Sequence, residues 1–290
     1  MSKVLLVSYD SDMFIHYFPL GLAYVASSLE KSGDKVTIYP QDIYHYPESH
    51  LTDYLNREQF DIVGVGMCAG YYQYAKLLKL ADAINSSNQR PTFWVGGHLV
   101  SPEPEYFEKI TKASWICRGQ FCDIMDLLPA WHLFNIDYYS LIRLPHAENK
   151  DRCFPVPSAD GCPFHCNFCY RMVEGYRERP IEDIIGEIKT LQKVYKITYI
   201  DFADELLMVS EERARRISEA LKPLHIKWMC NGRLNYAKPS VLKAMKESGC
   251  VFINYGIESV DDEVLHNMNK NLTIRQIESG VKATLEAGIS

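Results

Sequence analysis

Short apolar runs alternate with longer stretches of helical periodicity along the first part of the chain. Lys3–Ser8 (KVLLVS) is an unbroken apolar run of strand length, the pattern of a buried strand. Leu20–Lys31 places Leu22, Val25, Ala26 and Leu29 on one helical face, and Ser32-Gly33 ends it. Lys35–Tyr39 reads as a second strand and Leu51–Arg57 as a short helix. Asp61–Met67 is a third strand, Tyr72–Asn85 a helix, Thr92–Val95 a fourth strand and Ser114–Cys117 a fifth. Strands and helices in alternation predict a parallel α/β sheet of Rossmann-like type. Ligands of such sheets sit at the carboxyl ends of the strands. Those ends are Ser8–Asp12, Cys68–Tyr72, Gly96–Ser101 and Arg118–Gln120. Gly96-Gly97 has two readings, a tight turn or backbone room for a large ligand.

Residues 128–154 lose the alternation and read as a linker, with Pro129, Pro145 and aromatics between Trp131 and Phe134. From Pro155 the α/β pattern resumes. Pro157–Asp160 is a short strand leading into a cysteine loop, and Ile181–Val194 is a helix. Ile197–Phe202 is a strand, Ser210–Leu221 a helix with an imperfect capping box, Ile226–Cys230 a strand and Pro239–Ser248 a helix. Val251–Tyr255 is the last strand and Thr273–Ala287 the last helix. Four βα units form an open arc, and a closed barrel needs more. The expected organisation is an α/β chain: a first domain over 1–127, a linker over 128–154, and a partial (β/α) barrel over 155–290 whose C-terminal part is missing.

Composition narrows the function classes. The chain has 290 residues, 47% hydrophobic and 23% charged, with net charge −6. That is not the basic footprint of a nucleic-acid binder. Arg171–Arg179, Arg213–Arg216 and Lys238–Lys246 are most simply solvated helix faces or loops. No apolar run approaches the ~20 residues that span a bilayer, so no membrane partner is expected. The start MSKVLLVSYD has no signal-peptide core. A cytoplasmic protein keeps its thiols reduced, and nine cysteines there do not suggest a disulfide framework. The 19 tyrosines, several between Tyr39 and Tyr74, suit an interface, a cofactor cover or ordinary half-buried helices.

Three of the nine cysteines fall within eight residues, as Cys162-x3-Cys166-x2-Cys169. A structural zinc site takes four ligands, typically as two close pairs. Here there is one close pair, and a fourth ligand would have to be distant, such as Cys153 or Cys230. Three thiolates from one loop suit a [4Fe–4S] cluster with one iron left open to a small molecule. Phe168 and Tyr170 flank the last cysteine as possible covers.

This loop, with its Phe168, resembles the signature of the radical S-adenosylmethionine (SAM) superfamily. Asp204-Glu205, at the end of the following strand, is similar to the acidic pair these enzymes use near the methionine amino group. Arg233 resembles the arginine that meets the methionine carboxylate. Gly256-Ile257-Glu258-Ser259, followed by Asp261, Leu265 and Lys270, resembles a run common in the superfamily. Taken singly, each has a plain reading: an acidic helix start, a salt-bridge partner, a turn cap. Together they fall at the carboxyl ends of successive strands.

The first half is similar to the cobalamin-binding domain that precedes many radical SAM domains. The likeness rests on Pro19-Leu20-Gly21, Asp61–Gly66 and Gly96-Gly97-His98. It implies cobalamin contacts from Pro19, Leu20, Gly21, Cys68, Ala69, Gly70, Gly96, Gly97 and His98. The DxHxxG motif of classical base-off cobalamin proteins is absent, and Asp10 and His16 stand too far apart in sequence to supply it. The family's Gly-Glu-Gly-Glu is replaced by Arg118-Gly119-Gln120-Phe121-Cys122.

The resemblance implies a cobalamin-dependent radical SAM enzyme. Such an enzyme cleaves SAM reductively to a 5′-deoxyadenosyl radical and transfers methyl from methylcobalamin to an unactivated carbon of a small-molecule or natural-product substrate. A flavodoxin- or ferredoxin-type protein would donate electrons. Cyclisation, rearrangement or methylthiolation is the alternative, the last with a second cluster drawn from Cys68, Cys117, Cys122 or Cys153. A zinc-stabilised binding module is the non-catalytic rival.

Overall fold

The computed structural model of the chain describes residues 1–119, 123, 125, 127–171 and 173–290. It divides into two compact units, Met1–Tyr139 and Ser140–Ser290.

In the first unit, β1 (Lys3–Ser8) lies between β2 (Lys35–Pro40) and β3 (Ile62–Gly66), and β4 (Thr92–Gly96) and β5 (Trp115–Ile116) complete the sheet in the order β2-β1-β3-β4-β5, all parallel. The helices are α1 (Leu20–Lys31), α2 (Gln41–Tyr44), α3 (Glu48–Arg57), α4 (Tyr71–Asn85), α5 (Pro104–Thr111) and α6 (Ile136–Tyr139). Alternate residues of β1 feed two cores. Leu5 and Val7 pack with Leu51, Leu55, Leu77 and Leu80, whereas Val4 and Leu6 pack with Leu22, Ala26 and Leu29. A strand buried on both faces must be apolar at every position, and KVLLVS is nearly so. Sequence periodicity misses α2, α5 and α6, which are short. Residues 128–139, read as linker, belong to this unit: Ala130 packs in the α1 core and Tyr139 is 1% exposed.

In the second unit, β6 (Cys153–Val156), β9 (Tyr199–Phe202), β10 (Lys227–Gly232) and β11 (Cys250–Tyr255) form a parallel sheet in consecutive order. Between β6 and β9, β7 (Ala159–Gly161) and β8 (Tyr176–Glu178) make an antiparallel ribbon that brackets the cysteine loop. Helices α7 (Ile181–Tyr195), α8 (Glu211–Leu221), α9 (Pro239–Glu247), α10 (Asp262–Asn267) and α11 (Ile274–Glu286) follow in turn. The strand expected at Pro157–Asp160 is instead Cys153–Val156, in register with β9. Pro155 does not prevent this, because β6 is an edge strand of the sheet. Among the described residues no helix is long and apolar enough to cross a membrane.

The basic stretches are not wholly solvated. Arg213 and Arg179 are 1% and 2% exposed. Arg213 donates to the Ser158 carbonyl and hydroxyl at 2.8 and 2.9 Å and pairs with Glu178 at 2.7 Å. Arg179 pairs with buried Glu187 at 2.7 Å and donates to the Pro157 carbonyl at 2.6 Å. Both hold the segment that enters the cysteine loop.

Candidate functional site

The cysteine loop is anchored at both ends. At its entry Ser158, fully buried, donates its amide and its hydroxyl to Asp204, which also accepts the Ala159 amide at 3.1 Å. Burial raises the Asp204 carboxyl, and the Ser158 donors and nearby Arg213 oppose that. The carboxylate of Asp204 is thus spent within the protein, as a tie between β9 and the loop entry. At its far side the loop docks on the turn after α10. The Asn167 amide and side chain donate to the carbonyls of Met268 (3.2 Å) and Asn267 (2.7 Å), and Asn269 donates back to the His165 carbonyl at 2.6 Å. These asparagines had no signal in the sequence, because each matters only through a backbone carbonyl some 100 residues away.

Cys166 is buried, Cys162 half-buried and Cys169 exposed. Burial pushes the Cys162 and Cys169 thiols up, each is raised further by charge on Cys166, and Arg233 opposes this at Cys162. Ionising these thiols needs cationic compensation, which iron would supply. Among the described residues no three His, Cys, Asp or Glu side chains converge as ligands of one metal ion. Cys153 and Cys230, the possible distant zinc ligands, are both 0% exposed and packed in the core. The loop therefore fits an iron–sulfur cluster as a donor set. Phe168 and Tyr170 are 47% and 54% exposed.

Arg233, at the end of β10, is 6% exposed. Its guanidinium stacks on Phe164 of the cysteine loop, 3.9 Å from the ring centroid, and donates to the carbonyls of Lys270 and of Asn271 (3.3 Å). Its Nε also donates to Asn235 Oδ1 at 3.4 Å, and among the described residues no carboxylate pairs with this buried cation beside the loop. Glu205 is exposed next to Asp204, without a hydrogen bond or ion pair among the described residues. Burial and Asp160 raise its carboxyl, with Arg171 opposing. Glu258, after β11, pairs with Lys270 at 3.0 Å, and the Lys270 ammonium lies 5.6 Å from the Phe168 ring centroid. A Cβ on Gly256 would come within 2.5 Å of the Glu258 carboxylate and 3.0 Å of the Lys270 ammonium, both mobile side-chain ends. Asp261 caps α10, accepting the amides of Glu263 and Val264, and Leu265 is fully buried. The Gly-x-Glu-Ser…Asp…Leu…Lys run is therefore one folded unit that carries the turn holding the cysteine loop.

In the first unit the expected cofactor residues gather at the carboxyl ends of β1, β3 and β4: Pro19, Leu20 and Gly21 at the start of α1, Cys68, Ala69 and Gly70 after β3, and Gly96, Gly97 and His98 after β4. Gly97, at φ +99°, presses on β3: a Cβ there would lie 2.3 Å from the Met67 carbonyl oxygen. The positive φ and this close approach both require glycine in the turn. Gly21 differs, since a Cβ there meets nothing within 4 Å. Neither packing nor backbone angle calls for glycine at that position. Met13, Phe14, Tyr17 and Tyr71 are 40%, 92%, 54% and 88% exposed on the same loops, an apolar surface of the kind that takes a large ligand. Asp10 and His16, too far apart in sequence to form the motif, meet at 3.2 Å. His16 is nevertheless 4% exposed, with Nε2 accepting the Ser11 amide at 3.1 Å and Nδ1 bonded to the Tyr138 hydroxyl at 3.0 Å, so it offers no free nitrogen. Cys117 is buried, Cys68 exposed, and Cys122 lies outside the described residues with Gln120 and Phe121.

Residues 156–290 match the radical SAM superfamily and residues 5–128 the B12 binding domain. The chain belongs to the B12-binding radical SAM enzymes. SAM, a [4Fe–4S] cluster and cobalamin are the cofactors of its two domains. An uncharacterized methyltransferase of Pyrococcus horikoshii, PH0819, is 28% identical over 93% of this chain and 67% of its own length. An anaerobic magnesium-protoporphyrin IX monomethyl ester cyclase of Rubrivivax gelatinosus is 25% identical over 58% of this chain and 30% of its own. The cobalamin-dependent SAM radical enzyme OxsB, solved with aqua-cobalamin and SAM, superposes on all of this chain with a TM-score of 0.76 at 17% identity. This B12-binding radical SAM chain spans 48% of the OxsB chain.

Proposed function

We propose that this chain carries out the radical step of a cobalamin-dependent methyltransferase acting on an unactivated carbon of a small molecule or natural product. It would work in the cytoplasm and draw electrons from a flavodoxin- or ferredoxin-type donor. The observation that carries the reading is Arg233, a buried guanidinium stacked on the cysteine loop with no carboxylate partner among the described residues. A guanidinium beside a thiol loop, bonded to the Lys270 and Asn271 carbonyls and to Asn235 but to no carboxylate among the described residues, suits the carboxylate of an amino-acid ligand. Cys162, Cys166 and Cys169 would hold the cluster. When bound, the cluster supplies one-electron cleavage of SAM and the corrinoid supplies a methyl group. Arg233 takes the methionine carboxylate and Glu205 the amino group. Asp204 positions the loop rather than touching the ligand. Glu258 and Lys270 set the Phe168 ring beside the last cysteine. The loops carrying Pro19–Gly21, Cys68–Gly70 and Gly96–His98 hold the corrinoid.

A second reading, cyclisation of a tetrapyrrole-like substrate, is favoured by the Rubrivivax cyclase relative. Both readings share the cofactor sites and part only at the substrate. The test is an anaerobic spectrum of iron-reconstituted protein desalted after incubation with hydroxocobalamin. Absorbance near ~400 nm from thiolate-ligated iron together with retained corrinoid bands is expected. Replacing the three loop cysteines by alanine should remove the first and leave the second. Bound zinc with neither band would overturn the proposal.

A further inference from the structure

The sheet of the second unit has two unlike faces. On one, Phe154, Ile200, Phe202, Trp228, Cys230 and Ile253 are each 3% exposed or less. The alternate positions Pro155, Asp201, Met229, Asn231, Phe252 and Asn254 are half-buried or exposed. A parallel sheet is ordinarily buried and apolar on both faces, so an open face with polar side chains calls for a reason.

Strand register arranges that face in layers. Lowest, Cys153, Tyr199 and Met229 pack with Leu144 and Ile142 into an apolar floor. Asp201 stands two residues beyond Tyr199, level with Pro155 on one side and Met229 on the other. Asn231 and Asn254 pair across β10 and β11 one step nearer the carboxyl ends. Glu205 and Arg233 follow where β9 and β10 end, and active sites of (β/α) barrels lie at those ends.

Two groups in this polar layer are unused. Asn231 donates to the Asp204 carbonyl at 2.9 Å and accepts from Asn254 Nδ2 at 3.0 Å, so both ends of its amide are engaged. Asn254 Oδ1 and the Asp201 carboxyl have no hydrogen-bond or ion-pair partner among the described residues. Lys227, lower on the same face, is held by Glu148 and Asp151 at 2.7 and 2.8 Å. Burial and the charge of Asp204 push the Asp201 carboxyl up to about 6, and a cation brought to it would act against both. Both unused groups accept hydrogen bonds. A ligand on this face must therefore bring donors, and a half-buried carboxylate favours a charged one. The strands β9 and β11 are two spacings apart, about 10 Å, which one small molecule can span.

We propose that Asp201 is a specificity-determining residue that binds a cationic nitrogen of the substrate, with Asn254 accepting a second donor. The substrate is then a small molecule carrying an amine. This rests on the radical SAM reading above and chooses within it. A tetrapyrrole with a rim of carboxylate and ester groups would set acceptors against acceptors.

The probes are aminopentanol, with amine and hydroxyl at opposite ends, the neutral pentanediol, the anionic hydroxypentanoate and magnesium-protoporphyrin IX monomethyl ester. Each is titrated by saturation-transfer NMR into the iron-reconstituted full chain with SAM bound, under anaerobic conditions. Aminopentanol should bind about 10-fold more tightly than pentanediol, and hydroxypentanoate and the porphyrin more weakly than either. Asp201→Asn should remove the preference for the amine and leave SAM affinity and cluster absorbance unchanged. It should fold at least as well at neutral pH, because it removes a carboxylate whose ionisation burial opposes. Asn254→Ala should weaken aminopentanol and pentanediol alike and keep the preference. Absence of a preference for the amine, absence of amine binding included, overturns the proposal. So does a preference that survives Asp201→Asn, or tighter binding of the porphyrin or the acid. A fall in SAM affinity in Asp201→Asn would place the residue in the SAM site instead, and also overturns it. Failure of the unaltered protein to bind SAM overturns the radical SAM reading itself.

Discussion

At the scale of single residues, the two groups with the clearest electrostatic consequences are Arg233 and Asp42. Arg233→Met removes charge-assisted bonds worth about 1.5–3 kcal/mol each. SAM affinity measured by anaerobic equilibrium dialysis should therefore fall about 10- to 100-fold, with cluster absorbance unchanged. Arg233→Lys should recover little of it, because an ammonium reproduces neither the fork nor the stack on Phe164. Unchanged SAM affinity in Arg233→Met would remove the main support for the site. Asp42, 2% exposed, accepts the Ser8 and Tyr139 hydroxyls at 2.7 and 2.6 Å, yet burial pushes its carboxyl up to about 6 from 3.8. Between those values the folded state holds more protons than the unfolded one, so stability falls as pH rises through the window. From pH 5 to 8 this group should cost about 1 kcal/mol. Asp42→Asn, which still accepts from both hydroxyls, should show a correspondingly smaller decline in denaturant titrations at the two pH values. Equal declines in the two proteins would mean that Asp42 is ionised throughout.

At the scale of elements, glycines separate packing from ligand space. Gly97 is fixed by its positive φ and by the Met67 carbonyl 2.3 Å from where a Cβ would stand. Gly97→Ala should cost about 1–3 kcal/mol, visible as a lower Tm. Gly21 lies in the first turn of α1 with open space around it. Gly21→Ala should leave stability unchanged or raise it by about 0.5–1 kcal/mol, while weakening corrinoid retention where the backbone meets the cofactor. A loss of stability in Gly21→Ala, or none in Gly97→Ala, would reverse the two assignments. The capping of α10 by Asp261 belongs to the same scale. That cap fixes the turn on which Asn167 and Asn269 lock the cysteine loop.

At the scale of the whole molecule, the second unit is organised around a buried polar hub. Ser158 links β6 to Asp204 after β9, to Arg213 of α8 and, through Arg213, to Glu178 of β8. Removing one member of such a network strands the others without partners. Arg213→Met should destabilise the protein by about 3–5 kcal/mol, read as a shift of the denaturation midpoint. A near-neutral result would mean that water replaces the guanidinium.

The sequence alone determined the strand and helix alternation, because burying both faces of a parallel strand demands runs such as KVLLVS. It also determined the thiol loop, whose ligands are local in the chain. Only the tertiary structure decided what depends on distant partners. Asp204 and Glu205 are neighbours with the same chemistry, and the approach of Ser158 from 46 residues away separates them into a buried tie and an exposed carboxylate. Arg213 sits in a stretch as basic as any solvated face, and burial against Glu178 gives it a structural role. Asp201, Asn231 and Asn254 belong to three strands, and only the register of β9, β10 and β11 lines them up on one face. Periodicity reports which face of an element is buried. It carries nothing about which polar group stands opposite, since that is fixed by strand order and register.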